Sequence, residues 1–485
     1  MSTTQPDTPA SPTDEKSHTR VMTWPVIAWG LWDWGSAAFN AVITTFVFTV
    51  YLTSDAFGST AENESALSLG LTIAGLCIAL LAPVTGQRAD RAGRTVFWLG
   101  AYSVVITAIA AALFFVQPDH SYLWLGIFLI GVGNVFFELA SVNYNALLSR
   151  LTTKAHTGTV SGFGWGMGYL GGIVLLLILY VGFINIGDGE TGWFGVTNEN
   201  GMNIRVSMLV AAAWFGLSAI PVIVTQAGGR RRRRVGETEA EHADARSREL
   251  GSLETAEPEP LEYAPQRESL WASYKRLWRT LVGLYHAHPE VLWFLVASAI
   301  YRDGLAGVFT YGGVIAQNTF GFTPGDVLIF AIASNVVAGI VTIASGRLDD
   351  RFGPRKVILG SLVILVVSGT LVFLLHAGGT TVFWVLGLFL SGCVGPVQSA
   401  SRSLLSRMIP DGREGEIFGL YATTGRAVSF LAPAMYGVSV FVGSKISGDE
   451  AGYWGILGIM LVLILGLVML LRVKDTEGNI TSLED

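Results

Sequence analysis

Apolar runs of about 20 residues recur along the whole chain, the length a helix needs to cross a hydrocarbon core of roughly 30 Å. No water reaches such a core, so each backbone N–H and C=O must be satisfied within its own segment, which selects helices. Twelve runs qualify. Residues 24–53, 66–85, 95–116, 121–149, 157–185 and 204–226 form a first set; 289–317, 324–345, 355–376, 380–407, 414–443 and 452–471 form a second. Of the 485 residues 51% are hydrophobic and 14% charged, against about 25% charged in a soluble domain. Cys77 and Cys393 lie inside apolar runs and far apart, which reads as two small buried thiols and not as a disulfide framework.

Loop charge orients the spans. Lys and Arg crowd alternate loops: Arg88, Arg91 and Arg94; Arg150 and Lys154; Arg230–Arg234; Arg347, Arg351, Arg355 and Lys356; Arg407 and Arg413. The intervening loops hold Arg205 and Lys445. The positive-inside rule puts the basic loops and both termini in the cytoplasm, as expected for a multi-pass protein of the cell (inner) membrane. The run starting at Trp24 has no small-residue cleavage site, so it is expected to be a retained first span.

The expected organisation is a polar tail (1–23), a six-helix bundle (24–226), a cytoplasmic linker (227–287), a second bundle (288–472) and a short tail (473–485). The linker opens with GGRRRRRVGETEAEHADARSREL, whose Arg run reads as a topology-fixing cluster and not as a nucleic-acid site. It closes with ESLWASYKRLWRTLVGLYHA, where Trp271, Tyr274, Trp278, Leu281 and Tyr285 recur at helical spacing and Lys275, Arg276 and Arg279 fall elsewhere. That pattern suits an amphipathic helix, lying on the leaflet or docked beneath the protein.

The two sets of spans share landmarks in the same order. GQRADRAGR (86–94) follows the second span and GRLDDRFGP (346–354) the eighth; LLSR ends the fourth and the tenth; Asp33 stands in the first and Asp303 in the seventh. A duplicated six-span unit explains this, a construction that transporters use. The fold class expected is therefore an all-α membrane protein with twelve transmembrane helices in two pseudo-symmetric six-helix bundles.

Gly86, Asp90, Arg91, Gly93 and Arg94 form the pattern G-x-x-x-D-R-x-G-R, which resembles the signature loop of the major facilitator superfamily. Gly346, Asp350, Arg351 and Gly353 form a degenerate copy, with Pro354 in place of a basic residue. WDWGSAAFNAVITTFVFTVYL (32–52), NYNALLSRL (143–151), SGFGWGMGYLGG (161–172) and GPVQSASRSLLSRMIP…EIFGLYATTGRAVSFLAP (395–433) resemble its vacuole-effluxer-like branch, the fungal autophagy-related vacuolar amino-acid effluxers and their bacterial relatives. The resemblance implies secondary transport by alternating access, with a gating role for the signature-loop residues, an amino acid or peptide as cargo, and efflux as direction. An exporter or flippase of a sugar- or lipid-linked metabolite is the alternative, with a receptor or enzyme behind it.

Charge at mid-membrane depth costs about 2.5–3.5 kcal/mol on insertion scales and marks functional positions. Asp33 heads a polar stripe with Ala37, Asn40 and Thr44 on the first span; Asn134, Glu138, Ser141 and Asn145 do the same on the fourth. Arg302 and Asp303 are neighbours in the seventh, Gln398 stands one turn before Arg402 in the tenth, and Arg426 is in the eleventh. Asp33, Glu138 and Asp303 are candidate proton-coupling carboxylates. Asn40, Asn143, Asn145, Arg302, Gln398, Arg402 and Arg426 are candidate substrate contacts, the cations suiting a zwitterionic or anionic solute. Structural ion pairs between helices are the competing explanation.

Gly162, Gly164, Gly166, Gly168, Gly171 and Gly172 line the fifth span and suit close helix approach. Their accidental G-x-G-x-x-G has no preceding strand and is discarded as a nucleotide motif. The sequence has no H-E-x-x-H, Walker loop, nucleophile elbow or metal-spaced Cys/His cluster. No enzyme activity, metal or cofactor is expected, and the partners expected are a small solute, lipid and protons.

Overall fold

A computed structural model describes residues 21–186, 190–249, 270–409, 412–447 and 452–473. Most of the expected tails, and residues 250–269 of the linker, lie outside the described residues. The helices are α1 Trp24–Leu52, α2 Glu62–Arg91, α3 Thr95–Phe115, α4 His120–Leu151, α5 Lys154–Ile184 and α6 Glu199–Ala227. Then follow α7 Leu270–Ala287, α8 Pro289–Phe320, α9 Ile329–Phe352, α10 Pro354–Leu374, α11 His376–Met408, α12 Glu414–Ser447 and α13 Trp454–Leu470. Among the described residues eleven of these are long and apolar enough to cross a membrane, and α13 is an apolar helix of 17 residues. Twelve spanning helices in two bundles follow. The sixth helix does not end at the membrane: its backbone continues as Met202–Glu249 into the basic part of the linker.

Aromatic packing anchors the first bundle. Trp29 stacks on Tyr144 with centroids 4.5 Å apart and donates from Nε1 to the Tyr144 carbonyl at 3.0 Å. Trp32 stacks on the same ring at 4.4 Å and donates to Ser103 Oγ at 3.1 Å. Both indoles are fully buried with their N–H groups satisfied, as burial of a polar group demands.

Two spans depart from a plain α-helix. In α1 the turns over Ala38–Phe46 are π-helical. The stripe read at α-helical spacing is therefore split: Ala37 is buried, Asn40 is exposed, and the Asn40 carbonyl accepts from Thr44 Oγ1 (2.9 Å) and Thr45 Oγ1 (2.6 Å). In α12 the helix stops at Val428 and restarts at Leu431. Pro433 explains the break, since it has no N–H for the turn before it.

The bundles meet where α5 packs on α9 and α2 on α12. Both interfaces need glycine. A Cβ on Gly162 would stand 2.8 Å from the Thr342 carbonyl, one on Gly346 would stand 2.7 Å from the Gly158 carbonyl, and one on Gly86 would collide with the Gly415 carbonyl. The small residues of the fifth span thus serve helix approach.

Candidate functional site

The two signature loops sit at the same end of the bundle and perform mirror tasks. Each turns on a glycine in the left-handed region, Gly93 at φ 56° and Gly353 at φ 90°. Asp90, at the end of α2, accepts from the Glu416 backbone N–H at 3.0 Å, in the first turn of α12. Asp350, at the end of α9, accepts from the Gly158 N–H (2.8 Å), the Thr159 N–H (2.9 Å) and Thr159 Oγ1 (2.5 Å), in the first turn of the α-helical part of α5. Each carboxylate therefore meets the positive end of a helix dipole in the opposite bundle.

The surroundings differ. Asp350 shares Arg407 with Asp349, at 3.0 and 2.9 Å, and Ser403 adds a bond to Asp349 at 3.2 Å. Asp90 stands among Glu414 and Glu416, which are held by Ser149 (3.1 Å), Arg150 (3.8 Å) and Gln87 (2.9 Å). Arg91, Arg94 and Arg351 are exposed, the Arg351 guanidinium 5.2 Å from the Phe352 ring. Pro354, which breaks the motif's second copy, opens α10 at a position that needs no N–H.

Deeper, two ion pairs cross between the bundles. Arg402 lies 3.2 Å from Asp33, whose same oxygen accepts from the Tyr144 hydroxyl at 2.9 Å. The guanidinium also donates to Ser161 Oγ (3.0 Å), the Ser161 carbonyl (2.7 Å) and Asn145 Oδ1 (3.3 Å), and lies over Trp29 at 4.7 Å. Arg426 lies 2.7 Å from Glu138, a pair left about one-third exposed. Arg402 is six residues from the end of α11 and Arg426 twelve from the start of α12, so the pairs lie roughly 9 and 18 Å inside the signature-loop end.

The neighbours Arg302 and Asp303 point apart. Asp303 accepts from the Ala432 N–H at 2.5 Å, satisfying an amide freed by the break in α12. Arg302 stacks over the Tyr421 ring at 3.9 Å and donates to the Tyr421 carbonyl at 3.1 Å. Among the described residues it has no carboxylate partner.

The remaining candidates scatter. Asn40 is exposed on the π-helical stretch, beyond Asp33. Asn143 is buried, donates to the Leu139 carbonyl at 2.8 Å, and its Oδ1 has no partner among the described residues. Gln398 is half-buried one turn before Arg402. Sequence reasoning missed Asp349, Tyr144, Ser161 and Tyr421. The adjacent Asp349 and Asp350 in the second loop were a visible signal; the other three lie in the family-resembling stretches, but their residue types are common and carry no charge.

A family model described as vacuole effluxer Atg22-like matches residues 49–481. The chain belongs to that family. Among the relatives of this Atg22-like protein, the uncharacterised MFS-type transporter YxiO of Bacillus subtilis (strain 168) is 25% identical over 458 residues, covering 93% of this chain and 95% of that one. Autophagy-related protein 22 of Yarrowia lipolytica is 21% identical over 382 residues, covering 73% and 57%. Two solved structures share the fold. A bacterial homologue of the iron transporter ferroportin, in an outward-facing state, matches with a TM-score of 0.62 at 14% identity over 94% of this chain and 99% of that one. The proton:xylose symporter XylE matches at 0.65 and 15% identity, over 93% and 95%. The Atg22-like chain is a multi-pass transporter of the major facilitator type, not an enzyme.

Proposed function

We propose that this transporter moves a small polar solute carrying a carboxylate, an amino acid or short peptide, out of the cytoplasm by proton-coupled alternating access. The observation that carries the reading is the pair of cross-bundle contacts, Asp33–Arg402 at 3.2 Å and Glu138–Arg426 at 2.7 Å. Alternating access requires the bundles to part at the end where these contacts lie, and both pairs must then break. A carboxylate that loses its guanidinium in a partly dry cavity gains proton affinity, so pair breakage couples opening to protonation. The freed guanidinium gains a vacancy for an anionic group. Arg302 has no acid to release among the described residues, and its forked donors suit bidentate contact with a substrate carboxylate.

The family's description supports efflux, the resemblance to the fungal vacuolar effluxers supports the amino-acid class, and loop charge supports placing the signature-loop end in the cytoplasm of a cell-membrane protein. The test is purified protein in proteoliposomes screened against radiolabelled amino acids and dipeptides, with and without an imposed pH gradient. Gradient-dependent movement of one of them is expected. Movement only of sugar- or lipid-linked solutes sinks the reading.

A further inference from the structure

The linker helix α7 offers two faces, and the proposed transport cycle uses neither. Ser273, Leu277, Thr280 and Leu284 are buried against the bundle. Opposite them Trp271, Trp278 and Tyr285 are 79%, 67% and 64% exposed, at seven-residue spacing that keeps them on one stripe. Lys275 and Arg279 are exposed beside that stripe, with no ion pair among the described residues.

The helix is bound to α2, which packs across the bundles on α12. Pro83 lies inside α2 and has no N–H to offer the Ala79 carbonyl one turn before it. Thr423 Oγ1 of α12 takes the Ala79 carbonyl at 3.0 Å, and the Tyr274 hydroxyl of α7 takes the Leu80 carbonyl at 2.9 Å. Arg88 Nε adds a bond to Ser273 Oγ at 3.2 Å. Tyr274 therefore reaches α2 within its apolar stretch, on the side where Ile73, Leu76 and Leu80 are exposed as a lipid-facing row. This contact ties α7 to α2. Exposed Trp24, Phe97, Trp98 and Trp293 start α1, α3 and α8 at the same end, so the α7 stripe continues a ring of interfacial aromatics.

We infer that α7 docks through Trp271, Trp278 and Tyr285 into a leaflet bearing anionic headgroups, with Lys275 and Arg279 on those headgroups, and so ties the Pro83 segment of α2 to the bilayer. Aromatic rings with flanking cations are the chemistry that interfacial helices present to such a surface.

The test uses the full chain with Cys77 and Cys393 replaced by alanine and a nitroxide on Trp278→Cys. It is reconstituted in phosphatidylcholine vesicles, alone or with about one quarter phosphatidylglycerol. Collision with oxygen relative to a water-soluble nickel complex reports depth, with a label at exposed Ser59→Cys as the aqueous reference. The expected ratio at position 278 is several-fold above the reference in the mixed vesicles and lower in phosphatidylcholine alone. Lys275→Gln with Arg279→Gln should abolish that difference. Equal depth in both compositions overturns the headgroup assignment. A water-like signal, or shielding from both quenchers by another part of the chain or a second copy, overturns the docking.

Discussion

Asp90 and Asp350 do the same job from opposite bundles, and the bond lengths let their weight be compared. A charge-assisted bond to a helix amide is worth about 1–3 kcal/mol, and Asp350 makes three bonds to the start of α5 where Asp90 makes one to α12. Asp90→Asn is expected to slow transport several-fold while leaving expression and substrate affinity near wild type, and Asp350→Asn to slow it more. Initial rates across substrate concentration check this, and wild-type turnover in both variants would reduce the loops to topology. Arg302→Lys keeps the charge but loses the fork, and should raise the apparent KM about tenfold, the effect of roughly 1.4 kcal/mol, with little loss of protein. An unchanged KM removes Arg302 from the substrate site. The residue types were legible in the sequence because charge is rare within spans. Their partners were not, since Asp33 and Arg402 are separated by 369 positions and Glu138 and Arg426 by 288.

At the scale of elements, the broken α12 depends on a carboxylate from another helix. Removing it leaves a buried amide without an acceptor, at about 1–3 kcal/mol. Asp303→Ala should therefore lower the detergent melting temperature, and Pro433→Ala combined with it should restore part of the loss by letting the helix run through. If Asp303→Ala melts like wild type but loses gradient coupling, Asp303 is a coupling acid and not a support for α12. The spans themselves were readable because hydropathy registers any run of about 20 apolar residues regardless of partner. The α12 break and the π-helical turns of α1 were not: Pro433 marks a weak point without fixing a break, and the amides and carbonyls are satisfied by contacts or wider turns that leave no periodic trace. The amphipathic pattern of α7 was legible, whereas the bond of Tyr274 to the Leu80 carbonyl joins positions 194 residues apart and was not.

For the whole molecule, the cross-bundle contacts form three tiers: the signature loops at one end, then Asp33–Arg402, then Glu138–Arg426. In the proposed cycle all yield for that end to open, with substrate and protons offsetting their loss. If that end is cytoplasmic, cysteines at Gly236 and Ser482 will resist impermeant thiol reagents in intact cells while one at Ser59 labels; labelling at Gly236 would reverse the orientation. The most direct measurement is the pH dependence of gradient-driven flux in proteoliposomes for Asp33→Asn and Glu138→Gln. Coupling through the cross-bundle pairs predicts that at least one variant, Asp33→Asn foremost, loses accumulation against a gradient, loses the wild-type pH profile and retains substrate exchange. Wild-type accumulation with an unchanged pH profile in both variants would contradict it, and would leave the two pairs as static locks between the bundles.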